Sequence, residues 1–216
     1  LKSFHERHRV ISDEPLETLT AALIEISQQA FAPMLRDDYY ARAWQQQWLA
    51  KIPAYLDWQL AREQEGWRWL DGEVAKQHGL MLDDGQSIQL YGRQDRIDRI
   101  ADSYAVLDYK TGSNKGLKDK AIRADEDVQL AAYALLMQDE VGQVAFVSLD
   151  AEKVTTIALD VEPQAAADEC GERLTLLFNQ LHQHAPLPAN GIDKVCQYCD
   201  MRGLCRRDHW VDTLPV

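Results

Sequence analysis

The sequence lacks any apolar run long enough to cross a membrane, and it lacks a secretory hydrophobic region. Neither a membrane-spanning nor an exported class is indicated, and a cytoplasmic location is expected. It also lacks a positive charge balance: with a formal net charge of −12, the chain is no uniformly basic nucleic-acid binder. Cysteine is scarce. Three of the four cysteines fall after Pro186, and none precedes Cys170. A disulfide framework is a weak reading for such a pattern in a reducing compartment. No internal repeat or low-complexity segment occurs. The first residue is Leu1 rather than methionine, and the sequence reads as a domain excised from a longer protein.

What is present is a soluble globular composition, 46% hydrophobic and 27% charged, over 216 residues, enough for one substantial core. Residues 1–11 read as the end of a helix. Ser12-Asp13-Glu14-Pro15 has the polar cap and early proline of a new helix start, and Pro33 ends that helix. A long helix is expected from about Asp38 to Glu65, kinked or restarted at Pro53 and ended by Gly66. Its tryptophans, Trp44 and Trp48, could stack on bases, but at helical spacing they read as core. Trp67 to Lys76 reads as extended, with turns at His78-Gly79 and Asp83-Asp84-Gly85. After a central hairpin come a lysine-rich loop (Ser113 to Lys120), a helix (Asp125 to Asp139), two strands (Val144 to Leu149 and Val154 to Leu159), a helix from Pro163 to about His184, and an irregular tail. The order predicts a mixed α/β domain with a central sheet. Residues 1–66 form a helical region, 67–185 the core and 186–216 a cysteine-rich tail of one compact domain.

The central hairpin carries the chemistry. Tyr91 to Ile100 alternates apolar and polar positions, Ala101-Asp102-Ser103 turns, and Val106 to Gly112 returns. Residues two apart on a strand share a face, so Asp108 and Lys110 project together, Tyr109 points away, and Asp95 can join them. Two close carboxylates suit a hard divalent cation. A lysine beside them can hold an attacking water or a developing phosphate charge. The strip from Tyr91 to Arg123 holds eight Lys and Arg against five Asp, a local charge of +3, compatible with a phosphate backbone. Asp98, of opposite parity to Asp95, reads as the partner of a nearby arginine.

Gly92-x-x-Asp95-Arg96-Ile97-Asp98, Asp108-Tyr109-Lys110-Thr111-Gly112 and Gln129-Leu130-Ala131-Ala132-Tyr133 resemble the PD-(D/E)XK nuclease superfamily, and within it the RecB/AddB-like nuclease domain of helicase–nuclease repair complexes. The resemblance implies a restriction-endonuclease-like α/β fold, a central mixed sheet flanked by helices. It implies Asp95 and Asp108 as ligands of Mg²⁺ or Mn²⁺, with the Tyr109 backbone carbonyl completing the shell. Lys110 would position the nucleophilic water. Gln129 and Tyr133, four apart on a helix, would line the site or touch the nucleic acid. Glu73 looks like the family's upstream acidic residue. The family's metal-site histidine is expected upstream of Leu1; of His5 and His8, which stand in its neighbourhood, His5 reads as a surface residue.

Cys196-x2-Cys199-x5-Cys205 has metal-ligand spacing. Related nucleases carry a 4Fe-4S cluster on such a pattern. The resemblance implies a structural cluster whose fourth ligand lies upstream, or is Cys170 (otherwise an ordinary buried thiol); His209 offers a zinc alternative. The function expected is a metal-dependent DNA exonuclease in recombination or repair, acting on a DNA end fed by a helicase partner. The competing expectation is an inert DNA- or helicase-binding module of the same fold.

Overall fold

The computed structural model of the chain describes residues 1–111, 114–122, 128–138, 140–149, 153–186 and 196–205. The backbone groups into two units, Leu1–Thr175 and Leu176–Val216. In the first unit, α1 (Lys2–Arg7), a 3₁₀ turn (Ile11–Asp13), α2 (Leu16–Phe31), α3 (Met34–Asp37) and α4 (Ala41–Gln64) precede three strands, β1 (Arg68–Met81), β2 (Ser87–Ile100) and β3 (Ser103–Lys110). Then follow α5 (Asn114–Ile122), α6 (Gln129–Met137), β4 (Val141–Ser148), β5 (Thr155–Ala158) and α7 (Pro163–His182), whose last turns belong to the second unit. The sheet order is β1-β2-β3-β4-β5, antiparallel except for the parallel pair β3–β4. A mixed sheet flanked by helices is the fold class expected.

The strand period of two builds the layers. Ala105 and Leu107 of β3, with Ala145 and Val147 of β4, pack against Leu19 and Leu23 of α2 and Ile52, Tyr55 and Leu56 of α4. Val106, Val144 and Phe146 point the other way and pack against Leu117 and Ala121 of α5 and Leu130, Ala134 and Met137 of α6. β3 is therefore apolar on both faces, as a central strand in a helix–sheet–helix sandwich must be. Its run ends at Asp108, and that is where function can begin.

Three local readings change. β1 passes straight through His78-Gly79, which pair with Leu90 and Gln89, because the β1–β2 hairpin extends to a turn near Gly85 (φ +80°). The lysine-rich loop holds a helix, α5, because Leu117 and Ala121, four apart, bury one side of it. The helix α4 runs through Pro53 unbroken, since the burial of Ile52, Tyr55 and Leu56 outweighs one lost backbone bond. Asp125, Gly112 and Arg123 lie outside the described residues. Among the described residues no helix is long and apolar enough to cross a membrane.

Candidate active site

The site forms where the sheet opens. β2 pairs with β3 from Ile100 back to Arg96, and from Asp95 onward it pairs with β1 alone. The amide of Tyr109 thereby loses its ladder partner. The Asp95 carboxylate replaces it: Oδ2 accepts the Tyr109 N–H at 3.0 Å. Asp108 continues the Val106 face of β3 toward α6 and is almost wholly buried. Its Oδ1 accepts bonds from Gln129 Nε2 (2.9 Å) and Tyr133 OH (3.2 Å), one helical turn apart on α6. Its Oδ2 is paired with Lys110 Nζ at 2.7 Å, but no donor meets this buried oxygen with hydrogen-bond geometry. Lys110 also lies over the Phe146 ring. Asp108, Lys110, Gln129 and Tyr133 are thus brought together, with Asp95 close enough to feel the charge of Asp108.

The charges show the convergence. Burial raises the Asp95 carboxyl above its usual range; the Tyr109 amide works against that, and Asp108 and Glu73 add to it. Like charges crowded this way are relieved by a divalent cation, and a buried carboxylate oxygen with spare lone pairs is a fitting ligand. The residues present fit Mg²⁺ or Mn²⁺: Asp95, Asp108 and the Tyr109 carbonyl offer hard oxygen donors. Tyr133 is pushed up to about 12, chiefly by burial, so it stays protonated and donates.

Glu73 stands opposite Asp95, between the pairs Gly72–Arg96 and Val74–Gln94. Its φ is +55°, unusual for a residue with a side chain, and its carboxylate pairs with Arg93 at 2.7 Å. A backbone held in this region is strained, and such strain gathers at functional sites. Glu73 borders the site without touching Asp108 in any recorded contact. Among the described residues, no group of three or more His, Cys, Asp or Glu gathers closely enough to hold a metal ion.

His5 corrects the sequence reading. It is 1% exposed, not on the surface. Its Nε2 meets Tyr55 OH at 2.6 Å and Arg96 Nη1 at 3.3 Å, and its ring stacks on Trp69. Burial, with the charge of Arg96, holds its pKa well below the ordinary histidine value, so it is neutral. His8 pairs with Glu14 at 2.7 Å. His5 belongs to a buried polar network on the α4 side of the sheet, behind the acidic site. Arg96 Nη1 donates to Tyr55 and Tyr109 hydroxyls (3.1 and 3.0 Å), Arg96 Nη2 to Gln59 (2.6 Å), and both Arg96 and Arg62 pair with Asp98. Sequence reasoning placed Asp98 beside an arginine but missed the rest. The available signal was Gln59, Arg62 and Glu63, polar positions on the buried face of α4.

In the second unit, Cys199 N–H donates to Cys196 O at 3.3 Å and Cys205, in the short helix α8 (Arg202–Cys205), donates to Met201 O at 2.8 Å. The three cysteines do not gather as a metal centre among the described residues. Cys170 is a buried thiol of α7, raised by desolvation. His209 lies outside the described residues.

The sequence profile of the PD-(D/E)XK nuclease superfamily matches residues 1–206. The chain belongs to this superfamily. No curated protein matches it. A solved structure described as "Crystal structure of SSO0001" is similar at 16% identity and a TM-score of 0.38, covering 77% of this chain and 78% of that one. In this chain Asp108 and Lys110 pair at the end of the β2–β3 hairpin.

Proposed function

We propose that this chain is a Mg²⁺- or Mn²⁺-dependent deoxyribonuclease domain of the RecB/AddB-like kind, an exonuclease that digests a DNA end supplied by a helicase domain or subunit. The observation that carries the reading is the convergence of Asp95, Asp108 and Lys110 where β2 leaves β3. Asp95, Asp108 and the Tyr109 carbonyl would hold the metal. When bound, the ion would polarise the scissile phosphate and acidify a coordinated water. Gln129 and Tyr133 fix the Asp108 rotamer, so one oxygen is committed to α6 and the other lies against Lys110. The Lys110 ammonium, 2.7 Å from Asp108, holds the attacking water by one hydrogen bond and offsets charge gathering on the phosphate. Glu73 supplies further negative charge at the rim. The cysteines carry no step.

Purified protein should shorten end-labelled single-stranded DNA with Mg²⁺ or Mn²⁺ and stop on chelation. Asp108→Ala and Lys110→Ala should each lose roughly 10²-fold or more in kcat, as expected for groups that stabilise transition-state charge. Equal digestion by wild type and Asp108→Ala would overturn the assignment.

A further inference from the structure

Past the last β2–β3 pair, Arg96–Leu107, two bonds to Tyr109 take over from the ladder. They come from consecutive residues of β2. Asp95 Oδ2 accepts the Tyr109 amide at 3.0 Å, and Arg96 Nη1 donates to the Tyr109 hydroxyl at 3.0 Å. Neighbouring residues of a strand point to opposite faces. Tyr109 is therefore gripped at its backbone from the acidic side of the sheet, and at the far end of its side chain from the α4 side.

The grip on the hydroxyl is rigid. Arg96 is 1% exposed, and its remaining nitrogens are engaged: Nε donates to Asp98 Oδ1 (2.7 Å) and Nη2 to Gln59 Oε1 (2.6 Å). Its guanidinium also lies over the Trp58 ring. Nη1 donates to the Tyr55 hydroxyl as well, at 3.1 Å. With both phenol oxygens accepting from Arg96, each phenol proton has one direction left. Tyr109 O–H donates to the Tyr55 oxygen at 3.2 Å, and Tyr55 O–H donates to Nε2 of the neutral His5 at 2.6 Å. The Tyr109 ring is thus anchored to β2, α4 and α1 at once. A buried polar network of this kind is costly to leave half-satisfied, which favours one arrangement of its members.

The backbone of Tyr109 follows its side chain. Its amide holds the Asp95 carboxylate, and Asp108 directly precedes it on β3. A shift of the ring carries the amide with it and changes the spacing of Asp95 from Asp108. Mg²⁺ takes its oxygens at about 2.1 Å in near-octahedral geometry, so it is sensitive to such a change.

We propose that Arg96 and the Tyr109 hydroxyl are a positioning pair for the metal site, fixing through the Tyr109 backbone where Asp95 stands relative to Asp108. The proposal rests on the nuclease reading above. It adds to that reading two groups on the opposite face of the sheet from the acid–lysine pair, and it gives the buried network a part in metal binding besides its part in stability.

The test uses Tyr109→Phe, which deletes the hydroxyl and keeps the ring, the amide and the carbonyl. Ile52→Val, a trimmed side chain in the core on the same side of the sheet, is the control for lost stability. Without metal, amide hydrogen exchange is followed by NMR. The amide of position 109 should exchange faster in Tyr109→Phe than in wild type while the other β3 amides keep their rates, and Ile52→Val should show no such local change. With metal, Mn²⁺ affinity is measured by titration calorimetry. It should fall ~10-fold or more in Tyr109→Phe, as for the loss of a group that orients a metal ligand, and hold at the wild-type value in Ile52→Val. Either readout unchanged in Tyr109→Phe would overturn the proposal, as would an equal loss of affinity in Ile52→Val. Failure of the nuclease reading has its own signature: wild type would bind Mn²⁺ no better than Asp108→Ala, and the link from the network to the metal would fall with it.

Discussion

Asp95 and Tyr109 are tied to each other where β2 parts from β3: the carboxylate of one accepts the amide of the other at 3.0 Å. Asp95 closes an orphaned backbone donor, and in the function proposed above it also holds the metal. The substitutions Asp95→Asn and Asp95→Ala should separate them. The amide retains an acceptor oxygen and should leave stability near wild type while nearly abolishing metal-dependent cleavage. Alanine should do the same to cleavage and cost a further ~1–3 kcal/mol in denaturant unfolding, because the Tyr109 N–H is left without a partner.

Metal affinity should fall early as the solution is acidified. Burial, with Asp108 and Glu73 nearby, raises the Asp95 carboxyl, so its protonation begins at higher pH than for an ordinary carboxylate near 4. A ligand must be deprotonated to bind. Titration calorimetry with Mn²⁺ should show affinity dropping with the uptake of a proton while most surface carboxylates are still charged. In Glu73→Gln the drop should move to lower pH, since one of the raising charges is gone.

His5 makes stability depend on pH. Its folded pKa is depressed, so between the folded value and the unfolded value of about 6.5 the unfolded chain binds a proton that the native chain does not. Its contribution is complete above about 6.5 and is lost as the pH falls from there toward the depressed native value, with a limiting slope of about 1.4 kcal/mol per pH unit. Urea unfolding of wild type and His5→Gln across this range should show the slope reduced in the variant.

Among the described residues Asp98 pairs with both Arg62 and Arg96, and all three are buried. Removing it leaves two guanidinium groups short of a counter-charge. Asp98→Ala should cost about 3–5 kcal/mol and lower Tm sharply, although Asp98 does not face the metal site. Asp98→Asn, which keeps the acceptor, should fold better and retain metal binding.

Gly92 shows why the motif begins with glycine. A Cβ there would stand 2.4 Å from Leu136 Cδ1 and 3.9 Å from Tyr133 Cε1. Gly92→Ala should push α6 away from β2, cost about 1–3 kcal/mol by overpacking, and lower kcat by loosening Tyr133 and Gln129 on Asp108. Unfolding and steady-state kinetics on the same variant would show both effects.

The sequence by itself determined the hairpin, the facing of Asp108 with Lys110, the i, i+4 pair Gln129 and Tyr133, and the order of the strands. These follow from the strand period of two and the helical turn, which are local. It did not determine that His5 is buried against Tyr55 and Arg96, that α5 is a helix, or that Trp44 stays out of the core. It also left Glu73 without a register, which the β1–β2 ladder supplied by setting it opposite Asp95. Each of these depends on which distant surface packs against a residue. The buried network joins residues 50 and 91 positions apart, and Trp44 is left half-exposed at the start of α4. Local patterning specifies the face a side chain takes; only the assembled fold decides what that face meets.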